Sequence, residues 1–138
     1  MATINLTSTI NSTGLTSDSI SINILKSATV TTGGIARKST TAVVGSKEIL
    51  LAGADYPNPT ATTSVYAYIK NAGTITLRLS VLNNTASNAV LNNTSNDNED
   101  EISLAAGAWT LFPWDSVANI TVYQISAGTT LIEHGVFA

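Results

Sequence analysis

A chain of 138 residues with 11% charged side chains and a formal net charge of −3 is long enough for one cysteine-free core, built without disulfides. The absence of cysteine removes thiolate nucleophiles and thiolate metal sites. The six basic residues (Lys26, Arg37, Lys38, Lys47, Lys70 and Arg78) are scattered and not interleaved with aromatics, which argues against a nucleic-acid surface. No apolar run reaches the ~18 residues of a membrane helix. The opening MATINLTSTINSTG has neither a basic nor an apolar segment of a secretory signal, so none is expected.

Threonine, serine and asparagine supply 21, 15 and 13 residues. Threonine is β-branched and fits the pleated sheet, so polar faces made of hydroxyls and amides suit an all-β protein. Along the chain the apolar period is two almost everywhere. Ile4, Leu6 and Ile10 alternate with Asn5, Thr7 and Thr9, and Ile20, Ile22 and Ile24 alternate with Ser19, Ser21 and Asn23. Further strands are expected at 28–32, 38–44, 48–52 and 64–70. In TITLRLSVL, alternation sends Ile75, Leu77, Leu79 and Val81 inward. The remaining expected strands are 108–113, 119–125 and 130–137. Turn signals separate them: Ser12-Thr13-Gly14, Gly33-Gly34, Gly45-Ser46, Asn71-Ala72-Gly73 and Ala127-Gly128. Pro57 and Pro59 place a loop near the midpoint. Eight or nine short strands at this spacing predict a single antiparallel β-sandwich over 1–138, jelly-roll-like in character.

From Asn83 to Glu101 the chain departs from that pattern, with seven asparagines and four acids, and reads as a protruding loop. The run Asp97-Asn98-Glu99-Asp100-Glu101 raises a calcium site, but it lacks the glycine and bidentate acid of an EF-hand loop, and a solvated loop end is the simpler reading. His134 is the single histidine, with Glu133 on the opposite side of its strand; no second histidine, nucleophile elbow or zinc motif accompanies it. Asp18, Asp55, Asp115, Glu48 and Glu133 carry no flanking sequence that marks a glycosidase pair. No catalytic residue, no metal and no cofactor is therefore expected, and the chain reads as a non-enzyme. Six N-x-S/T sequons, at Asn5, Asn11, Asn83, Asn92, Asn93 and Asn119, are what this composition delivers.

Both tryptophans fall in AAGAWTLFPWDS, residues 105–116. Gly107 is expected to make a turn into a strand that Pro113 confines to a sheet edge or strand end. Alternation puts Trp109 and Leu111 on one face, taken as the core, and Phe112 and Trp114 on the other, taken as a subunit contact. Tyr66 and Tyr68 share a face opposite Val65, Ala67 and Ile69, which suits packing or subunit contact better than a sugar platform.

From Tyr66 onward, four segments in order (YIKNAGTITLRLSV, LAAGAWTLFPW, NITVYQISAGTTL and IEHGVFA) resemble small β-sandwich virion proteins of tailed bacteriophages: capsid decoration or cement proteins, fibres and tail accessory subunits. The acidic insertion at 92–101 departs from that pattern. The resemblance implies a structural subunit, with a decoration or cement protein as the leading expectation. Its partners would be other copies of itself, as a homotrimer, and the major capsid or another virion protein, with no nucleic acid and no membrane. The expected location is the virion, assembled in the host cytoplasm. Expected contacts are Phe112, Trp114, Tyr66, Tyr68, Ile4 and Leu6, the last two by strand addition. The alternative is a receptor- or carbohydrate-binding module of a fibre or tail.

Overall fold

A computed structural model describes residues 2–12, 20–30, 32–43, 46–56, 65–83, 101–114, 116 and 118–138. These residues form ten strands and one 3-10 turn, Gly53–Asp55, and no α-helix is found among them. Of the loop expected at 83–101, the ends Asn83 and Glu101 are strand residues of the sandwich, while residues 84–100, with Asp97, Asn98, Glu99 and Asp100 of the acidic run, lie outside the described residues, as do Pro57, Pro59 and Asp115. The chain divides into two compact units, Met1–Thr32 and Gly33–Ala138.

The first unit is a hairpin of β1 (Ala2–Ser12) and β2 (Ile20–Val30), antiparallel from Ala2↔Val30 to Ser12↔Ile20. Two strands expected at 20–24 and 28–32 are thus one continuous strand. Ile alternates with Ser and Asn over its first half, and no glycine or proline stops the ladder.

The second unit holds β3 (Gly33–Thr40), β4 (Glu48–Leu51), β5 (Tyr66–Asn71), β6 (Leu77–Asn83), β7 (Glu101–Leu104), β8 (Trp109–Pro113), β9 (Ala118–Gln124) and β10 (Thr130–Phe137). They build two four-stranded sheets, β3-β10-β5-β8 and β4-β9-β6-β7. Within them β3 pairs with β10, β4 with β9, β5 with β8 and β6 with β7, all antiparallel. That nesting is one long hairpin folded over on itself, the jelly roll, and the expected all-β sandwich is what the chain forms.

β3 starts earlier than expected and includes Gly33 and Gly34, which read in the sequence as a turn. A Cβ on Gly33 would lie 2.7 Å from the Phe137 ring, so this glycine serves close cross-strand approach instead. Gly107 does make the turn anticipated for it: at φ +77° it lets Ala108 N–H close on the Ala105 carbonyl at 2.9 Å, and β8 follows. β8 is an edge strand, and Pro113 is its last residue, where a missing N–H costs least.

The core lies between the sheets. Ile69 and Ile132 come from one sheet, and Leu77, Leu79, Ile120 and Val122 from the other, all essentially fully buried. The β9 residues Ile120 and Val122 stand opposite Val81 and Leu79, so the two strands share this inner face. Val81, expected inside, is 43% exposed. Among the described residues its cross-strand partner is Ile120 of β9. Ile75, also expected inside, is half-buried in the bend before β6 and lays its side chain over Gly128.

Buried polar groups tie the sheets together. Asn71 donates from Nδ2 to the Ile75 carbonyl at 2.8 Å and to the Leu104 carbonyl of the other sheet at 2.9 Å, while its Oδ1 accepts from Gly73 N–H. The Thr130 hydroxyl donates to Gln124 Oε1 at 2.8 Å, and Gln124 Nε2 donates to the Gly128 carbonyl. Among the described residues no buried side-chain polar atom lacks a partner, as a stable interior requires.

Candidate functional site

The expected division of labour in β8 is inverted. Ala67 and Ile69, fully buried on β5, stand opposite Phe112 and Thr110, so those two residues share the inner face. Phe112 packs against the core, and Trp114 is 3% exposed within it. Its indole Nε1 donates to the Ala118 carbonyl at 3.0 Å, and its ring meets Tyr56 edge-on at 5.4 Å. Trp114 is therefore a core residue and not the subunit contact expected of it, while Phe112 is half-buried and packs on the core side. Trp109, taken as core, is 59% exposed on the outer face with Leu111, which is half-buried. Tyr66, an expected contact, is buried; Tyr68 is half-buried. Of Ile4 and Leu6 only the backbone is described.

The outer face of the β3-β10-β5-β8 sheet carries charged and aromatic side chains from all four strands. Register places Arg37, Glu133, Lys70 and Trp109 in one row across four strands, and Ile35, Gly135, Tyr68 and Leu111 in the next. Ile35 is 60% exposed at the far edge from Trp109. Gly135 is needed at the centre, because a side chain there would run into the Gly34 carbonyl.

A chain of polar groups crosses this face to the Tyr68 hydroxyl. The Arg37 guanidinium donates from Nε and one terminal nitrogen to Glu133 Oε2, at 3.1 and 3.0 Å. The other oxygen, Oε1, accepts from the Tyr68 hydroxyl at 3.1 Å. The Tyr68 ring lies 6.4 Å from Trp109 at a tilt of 41°. The Arg37 hydrogen bond and then that of Tyr68 keep the Glu133 carboxyl below its ordinary pKa. Burial, then the hydrogen bond to Glu133 and its charge, raise the phenol of Tyr68. At neutral pH Arg37, Glu133 and Tyr68 therefore form one hydrogen-bonded chain linking the two rows, with the Trp109 ring beside Tyr68.

His134 stands on the other, inner face, between Ala36 and Ile69. Burial first, and the Lys38 ammonium second, hold its pKa below the ordinary value. Lys38 pairs with Glu48 and thereby bridges the edge strands β3 and β4, and the Thr40 hydroxyl also donates to Glu48 at 2.6 Å. Burial works to raise the Glu48 carboxyl, yet the Lys38 and Thr40 hydrogen bonds carry it below its usual range. The two carboxylates of this region are thus both engaged by cations, and Glu133 lies on the face opposite His134. Among the described residues no three His, Asp or Glu side chains gather as a metal site.

Sequence reasoning missed Ile35, Arg37, Glu133 and Lys70 as members of one surface, since cross-strand rows depend on register. One signal was present: Val65, Ala67 and Ile69 form a wholly apolar alternate set on β5, which turns Tyr66 and Tyr68 outward.

The sequence matches no protein-family model and no curated protein. Among solved structures the chain bears a loose likeness to a chain of the disulfide-linked pili of Bacillus endospore appendages. The two are 13% identical, with a TM-score of 0.43 over 77% of this chain and 85% of that one.

Proposed function

We propose that the chain is a non-enzymatic structural subunit of a multi-copy particle, a decoration or cement protein on the capsid of a tailed phage. The observation that carries this reading is the outer face of the β3-β10-β5-β8 sheet, where exposed Trp109 and Ile35 flank the anchored Arg37–Glu133–Tyr68 chain. Tryptophan, tyrosine and arginine dominate the energetics of protein contacts, and a tyrosine already held by a hydrogen bond, as Tyr68 is, loses less entropy on docking. The resemblance of residues 66–138 to phage sandwich proteins supplies the particle, and other copies of the chain and the major capsid protein supply the partners. A jelly roll by itself carries no function.

The test is the copy number and position of the protein in purified particles, with Trp109→Ala as the probe. Hundreds of copies on the shell, lost on substitution, support decoration; a handful at one vertex indicates a fibre or tail part. A second reading, a glycan- or receptor-binding module, draws on the same exposed Trp109 beside Tyr68, since a flat ring backed by hydrogen-bonding groups also suits a sugar. It prevails if Trp109→Ala leaves particle association intact and abolishes binding to host-surface polysaccharide.

A further inference from the structure

The register of the hairpin of the first unit gathers its apolar residues on one face. Cross-strand partners share a face, so the register from Ala2↔Val30 to Ser12↔Ile20 sorts the paired positions into two sets. One set, which includes the exposed Thr3, Asn5, Thr7 and Thr9, is polar except for Leu25. The other holds Ile4, Leu6 and Ile10 of β1 with Ile20, Ile22 and Ile24 of β2, and nine of its twelve positions are Ala, Val, Leu or Ile. We propose that this apolar face is buried against the same face of the hairpin in another copy of the chain. The proposal deepens the structural-subunit reading and rests on it in that the chain acts as assembled copies.

Three observations select that occupant. A two-stranded hairpin is marginal alone in water and needs a further layer on its apolar side. The apolar set runs through eleven-residue strands, about 36 Å at ~3.3 Å per residue. Among the described residues no strand of the sandwich exceeds eight residues, about 26 Å on the same rise. A surface with the required length and pattern is the hairpin itself.

The charge distribution agrees. Lys26 is the only charged residue among the twenty-two paired ones, and there is no proline. Strand edges left free in solution are usually guarded by charges, prolines or bulges, and these are guarded by little. A partner of strong charge would find nothing to pair with, whereas a second copy meets a neutral, self-complementary face, the requirement of an isologous contact. The one lysine can lay its methylene stem along apolar surface and keep its ammonium in water. Two such faces would stack as paired sheets about 10 Å apart.

The absence of native cysteine makes the test direct. Single-cysteine versions of the full chain are made at Ile4, Ile10, Ile22 and Ile24, and on the polar face at Thr7 and Thr9, then treated with a short bismaleimide linker. Light scattering on the unmodified chain is expected to give a multiple of 14.3 kDa. Covalent dimers are expected from the apolar-face positions, at least about tenfold more than from Thr7 or Thr9, because linker reach demands close approach. Ile22→Asp should lower the mass to that of one chain, and Thr9→Asp should leave it unchanged. A mass multiple that persists without any apolar-face cross-link overturns the hairpin proposal and leaves the structural-subunit reading standing. A chain monomeric at high concentration overturns the hairpin proposal as well. Its absence from purified particles would overturn the structural-subunit reading separately.

Discussion

The two ends of β8 carry one tryptophan each and use them in opposite ways. Trp114, just past the C-terminal end, is buried with its N–H satisfied by Ala118 and its ring against Tyr56. Trp109, at the N-terminal end, stands in solvent beside Tyr68. Five residues apart, they differ in parity on the pleat, and parity alone decides which one is packed into the core and which one stands on the surface.

The sharpest way to break that comparison is to remove each ring. Trp114→Ala is expected to cost about 3–5 kcal/mol in urea unfolding, the range for emptying a large buried aromatic site. A loss under ~1 kcal/mol would mean that the site collapses freely and that Trp114 is no anchor. Asn71→Leu comes next, at about 2–3 kcal/mol, because the Ile75 and Leu104 carbonyls and the Gly73 N–H lose their partner. Circular dichroism melts of the two variants measure both effects, and near-neutral behaviour of Asn71→Leu would show that water replaces the amide.

A smaller effect is expected at the inner face behind the aromatic platform. His134 has a folded pKa below its ordinary 6.5. Its neutral form is thus favoured by folding, and the stability this provides is complete above the unfolded value. It is lost as pH falls from there through the folded value, since the unfolded chain takes up the proton first. The imidazole resonances of this sole histidine report the midpoint directly, and a midpoint at or above 6.5 contradicts the burial that the fold assigns it. The smallest effect on stability belongs to Trp109→Ala, within about 0.5 kcal/mol as for other exposed sites. Its consequence should appear only in association with particles or partners, measured by co-sedimentation. A large loss of stability would place Trp109 with Trp114 and remove the contrast.

Strand existence was readable in the sequence because period-two alternation survives wherever one face is wet. The last strand, 130–137, has the bounds alternation gives it, and β4, β5, β8 and β9 fall within one or two residues of their expected ranges. Parity in β8 was readable too: Trp109 with Leu111, and Phe112 with Trp114. The direction was not, because both sets are bulky and apolar. What settles it is the opposition of Phe112 to Ala67, a register across 45 residues that no local pattern contains. The same limit hid the Arg37–Glu133 pair, whose members are 96 residues apart. Glycine misled at Gly33, since a residue without a side chain signals either a turn or a neighbour pressed close, and here the neighbour is Phe137.

The nested pairing of the jelly roll also sets the order of events in the protein's making. β10 sits inside its sheet between β3 and β5, so Gly33 waits for Phe137 and Thr40 for Thr130. Closing such distant contacts is slow compared with forming local ones. As the chain leaves the ribosome, β3 and β5 emerge with no strand yet available to lie between them, and the sandwich closes only after synthesis has passed residue 137. The contact made first in sequence, β1 with β2, needs none of this, since its two strands are separated by a short connection alone. A nascent chain therefore presents its hairpin before its sandwich, so the proposed hairpin contact between copies is one that can form while their larger units are still incomplete.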